Sequence, residues 1–182
     1  LKNDLRSLAE HRIVTKNRRK ENAIPSVVLI GYTNAGKSTL LNALTGTGQI
    51  VSDGLFTTLD PLYKRLKLSN GEDIVISDTV GFLHNLPHHL IEAFKTTLEE
   101  AIGADLLVHV LDISHPKAVE HNKAVFEVLK ELKADNKPVI TALNKIDQLA
   151  DNEIIPRLEK DFQNPVVISA KLKTNLDGLL KK

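Results

Sequence analysis

Val27-Val28-Leu29-Ile30-Gly31-Tyr32-Thr33-Asn34-Ala35-Gly36-Lys37-Ser38-Thr39-Leu40 is the stretch that decides the architecture of this chain. Four apolar residues run directly into the pattern G-x-x-x-x-G-K-[ST], and Leu41-Asn42-Ala43-Leu44 continues beyond it. Strand, glycine-rich bend and helix, in that order, are what a phosphate-binding loop requires. Gly31 and Gly36 let the backbone turn so that the N–H groups of Gly31, Tyr32, Thr33, Asn34, Ala35, Gly36, Lys37, Ser38 and Thr39 can face an anion as a nest. The helix that follows adds its positive N-terminal end. Lys37 offers a point charge to the β- and γ-phosphates, and the Ser38 hydroxyl offers a ligand to Mg²⁺.

Working outward, strands and helices alternate. Lys37–Thr45 reads as a helix closed near Gly46. Residues 47–61 lack periodicity and contain Gly48, Gly54 and Pro61, so they read as a long loop, which in a compact domain points to function. Tyr63, Arg65 and Lys67 alternate with leucines as in a half-buried strand, and Asn70-Gly71 marks a hairpin returning through Asp73–Ser77. Residues 88–102 show helical spacing at Leu90, Ile91, Phe94, Leu98 and Ile102. Leu106–Leu111, Pro138–Leu143 and Val166–Ser169 read as further strands. The spans 117–133, 151–161 and 176–182 read as helices. The expected fold is α/β: a mostly parallel six-stranded sheet with one antiparallel edge pair, helices on both faces and right-handed crossovers. Ligands on such sheets lie beyond the carboxyl ends of the strands.

Composition agrees with a globular domain. Of 182 residues, 42% are hydrophobic and 26% charged, ordinary values that allow a sizeable core. The absence of cysteine excludes disulfides and thiolate metal sites. No apolar run approaches the roughly 20 residues of a membrane span, which leaves only peripheral membrane contact open. The sequence contains no methionine and opens on Leu1, so it is expected to be an excerpt of a longer chain. Net charge is +1 but uneven: residues 1–24 hold seven Lys and Arg against three Asp and Glu. Leu1, Leu5 and Leu8 place a helix in this arm, which reads as a basic linker helix (1–24) ahead of a nucleotide-binding domain (25–182). Such an arm suits nucleic acid phosphates or a solvated helix face.

Three further motifs stand at carboxyl ends of expected strands. Asp78-Thr79-Val80-Gly81 places a carboxylate where it reaches Mg²⁺ held by Ser38 through a water, and Gly81 where its N–H can approach a γ-phosphate. Asn144-Lys145-Ile146-Asp147 places a carboxylate against guanine, whose N1–H and 2-amino group are adjacent donors that adenine lacks. Asn144 braces this loop, and the Lys145 stem covers the base. Ser169-Ala170-Lys171 offers a backbone N–H near Ala170 to the guanine O6. In the long loop, Thr57 or Thr58 supplies the hydroxyl that a nucleotide switch closes on Mg²⁺ and the γ-phosphate.

Together and in this order, these segments resemble the translation-factor-like GTPases, with their P-loop GTPase fold. Leu55-Phe56-Thr57-Thr58-Leu59-Asp60-Pro61 and Asp78-Thr79-Val80-Gly81-Phe82-Leu83-His84-Asn85-Leu86-Pro87-His88 look like the two switch regions of the HflX family. The stretch 31–40 is similar to that family's phosphate loop. Related Obg GTPases share the Phe-Thr-Thr pattern, but Leu86-Pro87-His88 favours HflX. The resemblance spans 1–182 and implies a GTPase that takes GTP, GDP and Mg²⁺. It implies a cytoplasmic monomer that binds the large ribosomal subunit, rRNA and protein, and helps separate stalled or idle ribosomes. It also implies a family N-terminal domain missing from this sequence. Aligned on the first switch, Thr58 takes the Mg²⁺ role beside Ser38 and Asp78, and the catalytic contributions fall to Lys37, Thr58 and Gly81. Asn34 matches the asparagine that helps hold K⁺ in cation-dependent relatives, which implies stimulation by K⁺.

Phe82 follows the D-x-x-G glycine where many GTPases carry a glutamine that orients water; a phenyl ring has no donor or acceptor. Slow turnover by the isolated domain is therefore expected, with help from a partner, another side chain or a cation. His84, His88 and His89 invite a metal reading that Pro87 and the absence of thiolates disfavour; a polar partner-contacting loop or ordinary surface fits them better. His109, inside an apolar strand, is expected to be a satisfied core histidine. The alternative function is a guanine-nucleotide-dependent adaptor docking on a membrane or protein scaffold, with hydrolysis incidental. A P-loop kinase is disfavoured, because N-K-x-D serves it no purpose.

Overall fold

The computed structural model describes residues 24–46, 62–79, 81, 100–149 and 155–182. The basic arm before residue 24, the loop 47–61 with Thr57 and Thr58, Phe82, His84, His88, His89 and most of the helix expected over 88–102 lie outside the described residues.

β1 (Ser26–Ile30) is apolar at every position after its first, as befits a strand covered on both faces. It leads to α1 (Lys37–Thr45), which Gly46 closes at φ 67 with its N–H on Asn42 O, 3.0 Å away. β2 (Leu62–Lys67) and β3 (Asp73–Asp78) form the antiparallel pair. Their connection is a three-residue loop: Leu68 N–H donates to Glu72 O (2.8 Å), and Gly71 takes the left-handed position at φ 89. Asn70 contributes through its side chain, whose Oδ1 accepts the Glu72 N–H. A helical stretch at 100–103 precedes β4 (Leu106–Asp112). Then come α2 (Ala118–Glu131), β5 (Val139–Asn144), a 3₁₀ turn (Ile146–Gln148), α3 (Ile155–Leu158), a second 3₁₀ turn (Glu159–Asp161), β6 (Pro165–Val167) and α4 (Leu176–Leu180).

The six strands lie in the order β2-β3-β1-β4-β5-β6, all parallel but for the β2–β3 pair at one edge. Odd and even positions of β1 divide the core. Val27 and Leu29 pack in one cluster with Leu40 and Leu41 of α1 and Leu176 and Leu179 of α4. Val28 and Ile30 pack in another with Val125 and Leu129 of α2. Helices therefore cover both faces, as the alternation of the sequence requires. At the amino ends of the strands, Ser26 N–H and Oγ–H both donate to Asp105 Oδ2 (2.7 and 2.8 Å), pinning the entry of β1 to that of β4.

Several strand ends differ by a residue or two from the sequence expectation, β3 and β4 running on to Asp78 and Asp112, β5 to Asn144, and β6 starting at Pro165; two of the differences have a plain physical reason. β5 begins at Val139 because Pro138 has no N–H for the ladder; its carbonyl still accepts from Leu107. The last strand stops at Val167, because Ser169 turns to pair with Thr174 (3.2 and 2.9 Å) in a bridge that leads into α4. His109 is a core residue as expected, but it is not satisfied: neither ring nitrogen has a hydrogen-bond partner among the described residues. It rests edge-on against Phe126 (5.8 Å, 87°) and is paired in register with Thr141, whose buried hydroxyl also lacks a partner.

Candidate functional site

Register gathers the polar residues. Leu29 lies opposite Asp78, Ile30 opposite His109, and Asp112 opposite Asn144. The loops after β1, β3, β4, β5 and β6 thus emerge at one edge of the sheet, its carboxyl end.

The phosphate loop is pressed against β4. Gly31 takes φ 146, and a Cβ there would lie 2.3 Å from the Val110 carbonyl oxygen. Only glycine permits so close an approach. Asn34 (φ 60) and Gly36 (φ 100) are also left-handed, and such residues among right-handed neighbours turn successive amides to one side. α1 carries no acidic side chain in its first turn, so its positive end is left for a ligand.

Lys37 is only 6% exposed, and its Nζ donates to the Gly31 and Tyr32 carbonyls (3.1 and 2.9 Å). Burial lowers its pKa from 10.5 to about 8, partly opposed by the Asp78 carboxylate. Asp78, fully buried at the end of β3, accepts from the Ser38 hydroxyl. Thr79 Oγ donates to Leu29 O (2.6 Å), locking the turn after β3 to β1. Gly81 closes over the phosphate loop: a Cβ there would stand 2.7 Å from Thr33 Cα and 2.9 Å from Lys37 Nζ. Ser38 and Asp78 are hard oxygen donors in direct contact, beside a positive amide nest. That donor set fits Mg²⁺, which takes few protein ligands and keeps much of its water. Thr58, the third expected ligand, lies outside the described residues.

The loop Asn144–Asp147 is tied to its surroundings by one amide. Asn144 is buried; its Nδ2 donates to Ala35 O (2.8 Å) in the phosphate loop, and its Oδ1 accepts from Ala170 N–H (2.9 Å). Gly36 is glycine partly for the same reason, since a Cβ there would lie 2.3 Å from Asn144 Nδ2. Of the backbone N–H groups near Ala170, that of Ala170 itself is therefore engaged by Asn144. Asp147 lies exposed at the mouth, one carboxylate oxygen held by the Ser169 hydroxyl at 2.6 Å. Ser169 is itself fully buried and also accepts the Leu172 N–H, so the carboxylate is aimed from a fixed base.

Two side-chain contacts here, the ring stack of Tyr32 and the ion pair of Asp112, have no counterpart in the motifs. Tyr32, inside the phosphate loop, stacks on His121 of α2 (3.9 Å, 5°), which tilts against His115. Asp112, the last residue of β4, forms an ion pair with Lys145 (2.7 Å). Its signal was positional: an acidic residue closing an apolar strand, as Asp78 does.

Comparison with known proteins places this geometry. A family model described as 50S ribosome-binding GTPase matches residues 26–145. The GTPase HflX of Caldanaerobacter subterraneus subsp. tengcongensis is 50% identical over 177 residues, which is 97% of this chain and 40% of that protein. This chain therefore spans less than half the length of that relative. The crystal structure of SsGBP with GDP superimposes with a TM-score of 0.72 at 31% identity, over 98% of this chain and 56% of that one. Era, crystallised with MgGDPNP and nucleotides 1506–1542 of 16S ribosomal RNA, superimposes with a TM-score of 0.68 at 30% identity, over 87% of this chain and 55% of that one.

Proposed function

The chain belongs to the 50S ribosome-binding GTPase family, on its HflX branch, and from that premise we propose that it binds GTP and hydrolyses it as a switch on the large ribosomal subunit, where it helps split or rescue ribosomes. The observation that carries the nucleotide reading is the Asn144 side chain, which joins the phosphate loop at Ala35 to the turn at Ala170 and so fixes the distance between a phosphate nest and the carboxylate of Asp147.

On this reading the amides of residues 31–38 take the β- and γ-phosphate oxygens. Lys37 turns its ammonium from the Gly31 and Tyr32 carbonyls to those oxygens and offsets the charge that builds as the γ-phosphoryl departs. Ser38, Thr58 and, through a water, Asp78 would hold Mg²⁺, which when bound would supply positive charge against the phosphates. Water bonds to the γ-phosphorus as the bond to the β–γ bridging oxygen breaks, leaving GDP and inorganic phosphate. Gly81 and Thr58 then lose the γ-phosphate they face, and the switch loops relax. Asp147 accepts N1–H and the 2-amino group of guanine. Phe82 offers the water nothing, so the isolated domain turns over slowly, and Asn34 would help hold a K⁺ whose charge would stimulate the reaction.

Two measurements test the reading. GTP hydrolysis by this chain should rise when purified large subunits are added and should be faster in K⁺ than in Na⁺. Pelleting should follow large subunits and GTP rather than liposomes; sedimentation with liposomes alone would transfer the reading to the membrane adaptor. Base selection is tested by Asp147→Asn, which exchanges an acceptor for a donor and should move preference from guanine to xanthine nucleotides.

A further inference from the structure

Asp112 lies outside every motif of the nucleotide site, yet the sheet delivers it there. Its register partner on β5 is Asn144, so its carboxylate stands beside the base-reading loop. Both oxygens are committed. Oδ2 meets Lys145 Nζ at 2.7 Å, in a pair with only 15% and 25% of the two side chains exposed. Oδ1 accepts the Ser114 N–H (3.0 Å) and the Ser114 hydroxyl (2.5 Å), so the turn after β4 closes on the same carboxylate. Ser114 Oγ also stands 3.2 Å from the Gln148 side-chain amide, one residue past Asp147. Lys145 itself takes a left-handed backbone, φ 66, at the start of the 3₁₀ turn that carries Asp147. Without a tether, a lysine stem of four rotatable carbons would spread over many rotamers.

We propose that Asp112 is a positioning residue for nucleotide binding: it holds the Lys145 ammonium so that the lysine stem lies across the purine as a preformed wall. The turn that holds Asp112 is braced from the other side. His115 tilts on His121, which stacks on Tyr32 of the phosphate loop (4.5 and 3.9 Å). The tether is thus anchored at both ends of the site, and ordering of the lysine is complete before the ligand arrives, which lowers the entropy lost on binding.

This inference rests on the guanine-nucleotide reading above, and a double-mutant cycle separates the two. Calorimetry with GDP is run on the 182-residue chain, on Asp112→Asn, on Lys145→Met and on the double variant. Asparagine keeps an acceptor for Ser114 while removing the charge, and methionine keeps most of the stem while removing the ammonium. Each single variant should raise the Kd for GDP about fivefold, and the double variant should bind no worse than either. Singles whose losses multiply in the double variant, or an Asp112→Asn protein that binds like the parent, would overturn the proposal. Thermal midpoints without nucleotide show whether a variant has lost its fold. If Asp112→Asn has, Ser114→Ala removes one of the two hydrogen bonds that hold the same carboxylate, with its charge and the backbone N–H bond intact, and is read in the same cycle: a raised Kd that vanishes in the Lys145→Met background supports the tether, and additivity overturns it. Failure of Asp147→Asn to gain xanthosine diphosphate would strike the base reading instead, whatever the cycle shows.

Discussion

Lys37 couples nucleotide binding to protons. Its folded pKa of about 8 lies below the 10.5 of the unfolded chain, because burial disfavours the ammonium. A phosphate ligand requires the ammonium, so binding near pH 8 should take up a proton; calorimetry in buffers of different ionisation enthalpy should show uptake that fades toward pH 6. The same depression means that, between about pH 8 and 10.5, the unfolded chain holds a proton the folded one has released, and this group's contribution to stability rises with pH there. His109 acts in the acid range. Burial drives its pKa from 6.5 to about 3, with the Lys37 charge adding to the effect. The unfolded chain therefore gains a proton below pH 6.5 that the folded chain refuses, and stability falls as pH falls toward 3. His109→Phe should flatten the decline of thermal midpoint between pH 6.5 and 4. At this scale the sequence was legible in placement: Lys37, Ser38, Asp78 and Asn144, singled out by their motifs, are all buried or half-buried around the loop after β1. It was not legible where a property depends on a neighbouring strand. The Asp112–Lys145 pair arises from β4–β5 register, and the lack of a partner for the His109 nitrogens among the described residues from what packs around β4; no local pattern encodes either.

Between elements, the decisive joints are made by single side chains and by missing ones. Asn144→Ala would leave the buried Ala35 carbonyl and Ala170 N–H without their partner. That should cost on the order of 3 kcal/mol in denaturant titration and loosen GDP binding as well. Gly31→Ala would press a methyl into the Val110 carbonyl and should cost about as much or prevent folding, read by the same titration. Six strands, their directions and both helix layers followed from apolar periodicity and the Asn70-Gly71 signal. Periodicity could not show that the chain leaves the sheet after Val167, because Ile168 remains fully buried and apolar while Ser169 pairs with Thr174. Nor could it show which residue the hairpin would bend through: Gly71 alone takes the left-handed position, and Asn70 works by its side chain.

For the molecule as a whole, ligand and fold are linked. GDP at a hundred times its Kd should stabilise the chain by about 2.7 kcal/mol, seen as a rise in thermal midpoint, whereas ADP at the same concentration should leave it unchanged. Equal shifts for the two would refute guanine selection. The sheet places the amide nest and the Asp147 carboxylate on loops that share one brace, so the spacing of the two is set by the same side chain. The intact nucleotide gains from this as a chelate does: once one end is seated, the other arrives at high effective concentration. Guanosine and pyrophosphate offered as two separate molecules should therefore grip far more weakly than their covalent union, with each fragment nonetheless improving the purchase of the other.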